Sequence, residues 1–123
     1  MISISYSCHF DAAHRLELPY DSPCNRPHGH RYAVAVVASA DELEHGMVVD
    51  FNLLQGVVDR FDHCDLNALP EFADRGVPTT AENIAVTLAA RFAEAVGPRV
   101  RIEEVVVRET PRAAARWRAT RER

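Results

Sequence analysis

Residues 28–40, His-Gly-His-Arg-Tyr-Ala-Val-Ala-Val-Val-Ala-Ser-Ala, decide the fold. The run is rich in β-branched and small apolar residues. His28 and His30 stand two apart, so in an extended strand their rings point to one face, which Tyr32, Val34 and Val36 continue. Ala33, Ala35 and Val37 make the opposite face apolar as well, so this strand is expected to be covered on both sides. Upstream, Ile2, Ile4, Tyr6, Cys8, Phe10 and Ala12 alternate with Ser3, Ser5, Ser7 and His9. That is the period-two signature of a half-buried strand over 2–12. Between the two strands, residues 15–27 carry Pro19, Pro23 and Pro27 and read as a loop.

Two helices follow. Asp50 can cap the first, and Leu54, Val57, Val58 and Phe61 form its apolar stripe. The second opens at Thr79-Thr80-Ala81-Glu82, a capping box with Thr79 as the cap and Glu82 reaching back. Ile84, Leu88, Phe92 and Val96 line one side of it, and Gly97-Pro98 ends it. Residues 69–78 are the loop between the helices. A valine-rich strand is expected over 102–109 and a last short one over 113–119. The order ββααββ gives an α+β domain with a four-stranded antiparallel sheet and two helices on one face. One domain is expected over residues 1–123. Open sheet edges and a second apolar face predict a symmetric homo-oligomer.

Composition narrows the function. The net charge of −4 argues against a nucleic-acid partner, and no apolar run is long enough to span a membrane. No basic segment leads into an apolar stretch, so a cytoplasmic location is expected. Three cysteines, Cys8, Cys24 and Cys64, are no disulfide framework. All fourteen basic residues are arginine, which excludes Schiff-base chemistry through lysine. The last twelve residues hold five arginines and one glutamate and read as a solvated tail or edge strand.

His14, in Phe-Asp-Ala-Ala-His, joins His28 and His30 as the candidate metal site. Three imidazoles suit zinc and leave the fourth tetrahedral position open for water or substrate. Gly29 is expected to let the backbone pack closely between the two ligands. Cys24, four residues before His28, reads as an inert thiol, as a fourth ligand, or as a thiolate base or nucleophile favoured by nearby positive charge. Asp62-His63 is an adjacent carboxylate and imidazole suited to acid–base work, or a helix-end histidine placed by the dipole. Glu109 ends the Val105–Val107 strand, as a solvated terminus or as a carboxylate gripping the paired N–H donors of a planar heterocycle. A zinc hydrolase and a zinc-stabilised binding module are the readings from other functional classes.

Taken together, six pieces resemble the 6-pyruvoyltetrahydropterin synthase / 6-carboxytetrahydropterin synthase family. They are Phe10-Asp11-Ala12-Ala13-His14, Cys24 with His28-Gly29-His30, Gly46-Met47-Val48-Val49-Asp50-Phe51, Asp62-His63 with Leu66-Asn67, Pro78-Thr79-Thr80-Ala81-Glu82-Asn83, and Arg108-Glu109-Thr110. The resemblance implies the tunnelling fold, whose subunit sheets close into a barrel as a trimer or dimer of trimers. It implies zinc on His14, His28 and His30, proton transfer by Cys24 with Asp62 and His63, and substrate anchoring by Glu109, Thr79 and Thr80. It places sites between subunits and implies 7,8-dihydroneopterin triphosphate as substrate. The short Cys-x-x-x-His-Gly-His spacing resembles the carboxytetrahydropterin synthases of the queuosine (7-deazaguanine) pathway. Thr79-Thr80-Ala81-Glu82-Asn83 is closer to the pyruvoyl branch.

Overall fold

A computed structural model describes residues 1–120; the last three residues of the arginine-rich stretch, 121–123, lie outside the described residues. The strands β1 (Ile2–His14), β2 (His28–Ala40), β3 (Cys64–Asp65), β4 (Arg101–Thr110) and β5 (Ala113–Arg118) form one sheet in the order β3-β1-β2-β4-β5. The helices are α1 (Phe51–Asp59), α2 (Pro70–Ala73) and α3 (Ala81–Val96). This is the expected α+β architecture, and β1, β2, β4 and β5 make its antiparallel body. Two details differ. The sheet has a fifth strand, because Cys64–Asp65 runs parallel to Ala12–Ala13 after the chain leaves α1. The stretch 69–78 also contains α2, a single turn started by Pro70 at N1, where the missing N–H costs nothing.

Alternation drives the packing. Phe10, Tyr32, Val34, Val36, Val105 and Val107 face α1 and α3, and all are buried. Leu54 and Val58 of α1 and Ile84, Leu88 and Phe92 of α3 close the layer from above. Phe61 is buried as expected, although it lies beyond the end of α1. On the other face of β2, Ala33 is exposed and Ala35 and Val37 are half-buried, so one chain does not supply the cover that its apolar character predicts. Asp50 caps α1 by accepting from the Asn52 N–H. The α3 cap is Thr80, not Thr79: the Thr80 hydroxyl accepts from the Asn83 N–H at 3.3 Å, and Thr79 is held elsewhere. Gly97 ends α3 at φ +75°, a left-handed value that suits glycine. Among the described residues no helix is long and apolar enough to cross a membrane.

Candidate active site

Strand β1 runs to His14, two residues further than its alternation suggests, and this extension builds the site. The β1–β2 register sets His14 opposite His28 and Ala12 opposite His30. Directly paired residues share a face, so all three rings lie on the helix side with Tyr32. Their ring centroids are 4.5 Å (His14–His28), 4.8 Å (His28–His30) and 5.2 Å (His14–His30) apart. Gly29 between them has ordinary room: a Cβ there would meet the Ala12 carbonyl at 3.5 Å. The expected close backbone approach at Gly29 is therefore not seen.

Backbone carbonyls fix two of the rings. His14 Nδ1 lies 2.8 Å from the Thr79 carbonyl oxygen and 3.2 Å from its hydroxyl, and His28 Nδ1 lies 2.7 Å from the Arg26 carbonyl oxygen. A carbonyl can only accept, so each Nδ1 carries the proton and each Nε2 keeps a lone pair. Nε2 of His14 and of His30 are buried without a hydrogen-bond partner. Glu109 Oε1 stands 3.3 Å from both. One ligand atom from each of His14, His28, His30 and Glu109 lies within 4.8 Å of all the others. The buried His14 lone pair facing a carboxylate needs a cation beside it, and three nitrogens with one oxygen fit a divalent metal ion. Burial holds the imidazoles of His14 and His30 below the ordinary histidine range, against the opposing pull of Glu109. The neutral ring is the form that binds metal. The Tyr32 hydroxyl beside them is also buried without a partner, and burial, then the Glu109 charge, drives its pKa well up.

Asn67 is the residue to which sequence reasoning assigned no role. Its Oδ1 accepts from the Arg15 N–H at 2.9 Å and its Nδ2 donates to the Arg15 carbonyl at 3.0 Å. Thr79 Oγ1 lies 3.3 Å from the same Oδ1. One amide thus ties the end of β1 to the segment whose carbonyl holds His14. Its sequence signals are its place in the resemblance, as Leu66-Asn67, and the run Asp65-Leu66-Asn67, in which Asp65 caps a short turn by accepting from the Asn67 N–H.

The other expected residues fall in three places. Thr80 spends its hydroxyl on the α3 cap. Cys24 is exposed on a short turn over Pro23–Asn25 and is not among the four grouped ligand atoms. That turn is pinned near the end of β1, because the Leu16 N–H donates to the Cys24 carbonyl at 2.8 Å. Asp62 and His63 lie at the β1 edge, with ligand atoms within 4.8 Å of the carboxylate of Asp11, whose side chain is on the face away from the histidines. Asp62 Oδ1 accepts from the Asp11 N–H at 2.8 Å, and the His63 N–H donates to the Asp11 carbonyl at 2.7 Å. His63 sits at φ +55°, a conformation that brings its Nδ1 to 2.8 Å from Asp62 Oδ2. The Asp11 N–H, with His63, holds the Asp62 carboxyl below the usual range. Arg31 grips Asp11 with two bonds of 3.0 and 3.2 Å. Asp11 and Arg31 pair across the β1–β2 ladder one residue out of phase with the histidines, which fixes the opposite face.

A groove of about 470 Å³ reaches Glu109 between α3 and β5, walled by Ala81, Ala85, Ala115 and Trp117.

Comparison with known proteins agrees with this architecture. The family described as 6-pyruvoyl tetrahydropterin synthase matches residues 3–120. The chain is 33% identical over 110 residues to the 6-carboxy-5,6,7,8-tetrahydropterin synthase of Bacillus subtilis, covering 84% of this chain and 75% of that one. It is 34% identical over 136 residues to a Pyrococcus abyssi protein named as a candidate for the same enzyme, with 91% and 87% covered. The 6-pyruvoyl tetrahydropterin synthase of Caenorhabditis elegans shares the fold at TM-score 0.78 and 23% identity, over 97% of this chain and 96% of that one. The Plasmodium vivax enzyme of that name shares it at TM-score 0.65 and 17% identity, over 95% and 98%.

Proposed function

The chain belongs to the 6-pyruvoyl tetrahydropterin synthase family, and from that premise we propose that it is a zinc-dependent lyase. With consumption of one water it converts 7,8-dihydroneopterin triphosphate to 6-carboxy-5,6,7,8-tetrahydropterin, releasing acetaldehyde and triphosphate, and serves 7-deazaguanine (queuosine) synthesis. One observation carries the reading: the imidazoles of His14, His28 and His30 converge while carbonyls hold the far nitrogens of His14 and His28. When bound, zinc supplies Lewis acidity toward the oxygens of the substrate side chain.

The protein's own groups do the rest. Cys24, in the turn beside the end of β1, moves protons at the side-chain carbons. Asp62 orients His63 through Nδ1, and the imidazole exchanges protons with bulk water. Glu109 accepts from the ring N–H donors of the pterin, whose flat body lies in the groove beside Trp117. Thr79 and Thr80 precede Ala81 at the groove wall and are assigned to the substrate by the resemblance, their hydroxyls being held by Arg15 and the α3 cap. His14, His28 and His30 face one side of the sheet, and Asp62 with His63 faces the other. A single chain therefore does not bring both sets to one substrate. A homo-oligomer does, because the sheet of a second copy continues the edge of the first. The long unpaired edge of β1 and the edge strand β5 favour such closure, as does the half-covered face of β2.

The test is the product. Purified protein incubated with zinc and 7,8-dihydroneopterin triphosphate should yield acetaldehyde and a carboxypterin by mass analysis. A 6-pyruvoyl product would place the chain on the other branch, which the Thr79-Thr80-Ala81-Glu82-Asn83 segment favours. Formation of neither product would refute the lyase reading.

A further inference from the structure

We infer that Glu109 is the fourth ligand of the metal in the substrate-free protein, so that one carboxylate closes the site at rest and opens it when it turns to the groove. The inference rests on the metal reading proposed above and adds to it a residue and a gate. Three observations carry it. First, Glu109 Oε1 stands 3.3 Å from Nε2 of His14 and 3.3 Å from Nε2 of His30, and it is equidistant from atoms on two different strands. Second, these contacts are not hydrogen bonds, since both nitrogens lack a hydrogen-bond partner. His14 has its proton on Nδ1, committed to the Thr79 carbonyl. A carboxylate oxygen resting against a buried lone pair is repulsive unless a cation lies between. Third, the spacing is that of a shared ion. Metal–ligand bonds of about 2.0–2.1 Å in a tetrahedron set neighbouring donors about 3.3–3.4 Å apart.

Strand geometry explains the placement. Glu109 follows Val107 in period two, so it faces the histidines, while Arg108 pairs with Ala33 on the other side. The β4–β5 register shifts between Arg108 and Thr110. Glu109 thus sits at a bulge, where re-aimed side chains are common. Its side chain is 29% exposed and also borders the groove between α3 and β5. The same carboxylate can therefore face the metal or the groove, but not both at once. A ligand that draws Glu109 into the groove leaves the fourth position free, so ring binding and metal opening become one event.

The experiment uses the full-length oligomer without substrate. Zinc affinity is measured by chelator competition for wild type, Glu109→Gln and Glu109→Asp, and the cobalt-loaded forms are compared by visible absorption. Glu109→Gln should bind zinc at least about 10-fold more weakly, on the scale of perturbed metal sites, with an altered cobalt spectrum. Glu109→Asp, one methylene short, should fall between. Zinc-bound wild type and Glu109→Gln with equal affinity and identical spectra would overturn the inference while leaving the zinc site intact. A wild type that binds no zinc would overturn both. If Glu109→Gln does not fold, wild type decides by infrared spectroscopy with ¹³C-labelled glutamate. A shift in one carboxylate stretch on zinc addition supports ligation, and an unchanged spectrum refutes it.

Discussion

Asn67→Ala should weaken both the fold and the metal site, by separable amounts. The substitution removes the 2.9 Å bond from the Arg15 N–H and the 3.0 Å bond to the Arg15 carbonyl. Each such bond contributes about 1 kcal/mol net, so the loss in unfolding free energy is about 2 kcal/mol. Arg15 is exposed and its backbone can take water in exchange, which keeps the figure from rising further. The effect on metal comes by another route. Asn67 Oδ1 also lies 3.3 Å from Thr79 Oγ1, and the Thr79 carbonyl fixes the His14 ring at 2.8 Å. Groups that orient a metal-bound histidine typically change affinity about 10–100-fold when removed. The lower end is expected, because Thr79 keeps a second contact, from its hydroxyl to the Arg15 carbonyl at 3.3 Å. Urea denaturation of the metal-free protein measures the first quantity and chelator competition measures the second. A variant that loses stability but binds zinc as wild type does would refute the relay from Asn67 through Thr79 to His14. A variant that loses neither would show the amide to be a bystander.

Cys24→Ala should keep its zinc by elemental analysis and lose turnover; loss of the metal would make the thiol a ligand instead. Mixing His28→Ala with His63→Ala protein, refolded together, should restore part of the activity that each lacks. Continued inactivity of properly mixed oligomers would count against a site shared between copies. The metal-free protein should lose thermal stability on acidification. Burial lowers the His14 and His30 values in the folded state, so the unfolded chain binds more protons just below the ordinary value of about 6.5. Stability is then complete above that pH and declines as pH falls through it. A melting temperature that is flat or higher at pH 5.5 than at pH 7.5, with chelator present, would contradict this.

The parts of the fold that were readable from sequence are those with their own period. Strands β1 and β2 declare themselves by alternation, and α1 and α3 by their stripes. What was not readable is short or non-local. Strand β3 has two residues and no pattern of its own; it exists because Asp11 is clamped to Asp62 and His63 across 51 residues of sequence. The four residues of α2 are too few to show a stripe, and only Pro70 marks its start. The α3 cap shows the limit most clearly. Thr79 and Thr80 offer the same hydroxyl one residue apart, and propensity does not separate them. The choice is made by His14, 65 residues away, which draws in the Thr79 carbonyl and hydroxyl and leaves Thr80 to the helix.

The candidate site divides along the same line. Two histidines separated by one glycine must share a face, so His28 and His30 could be paired from spacing alone. That His14 meets them depends on the register, which sets it directly across from His28. The carbonyls of Thr79 and Arg26, which leave the Nε2 of His14 and of His28 free for a metal ion, leave no trace in side-chain identity, because any residue has a carbonyl. Glu109 is the converse case. Its identity was legible as a carboxylate at a strand end, but its direction depends on period-two phase and on a bulge. The same phase argument separates the two halves of the proposed machinery. The side chains of Asp11 and Arg31 alternate with the residues that face the core, and ligand atoms of Asp62 and His63 lie within 4.8 Å of the Asp11 carboxylate, so this pair stands behind the sheet from His14, His28 and His30. A sheet is too thick for groups on its two faces to meet through it. They can converge on one substrate only around an edge, which the proposed homo-oligomer would supply. The parity of residues 11–14 and 28–31 therefore argues for assembly as directly as any exposed apolar surface does.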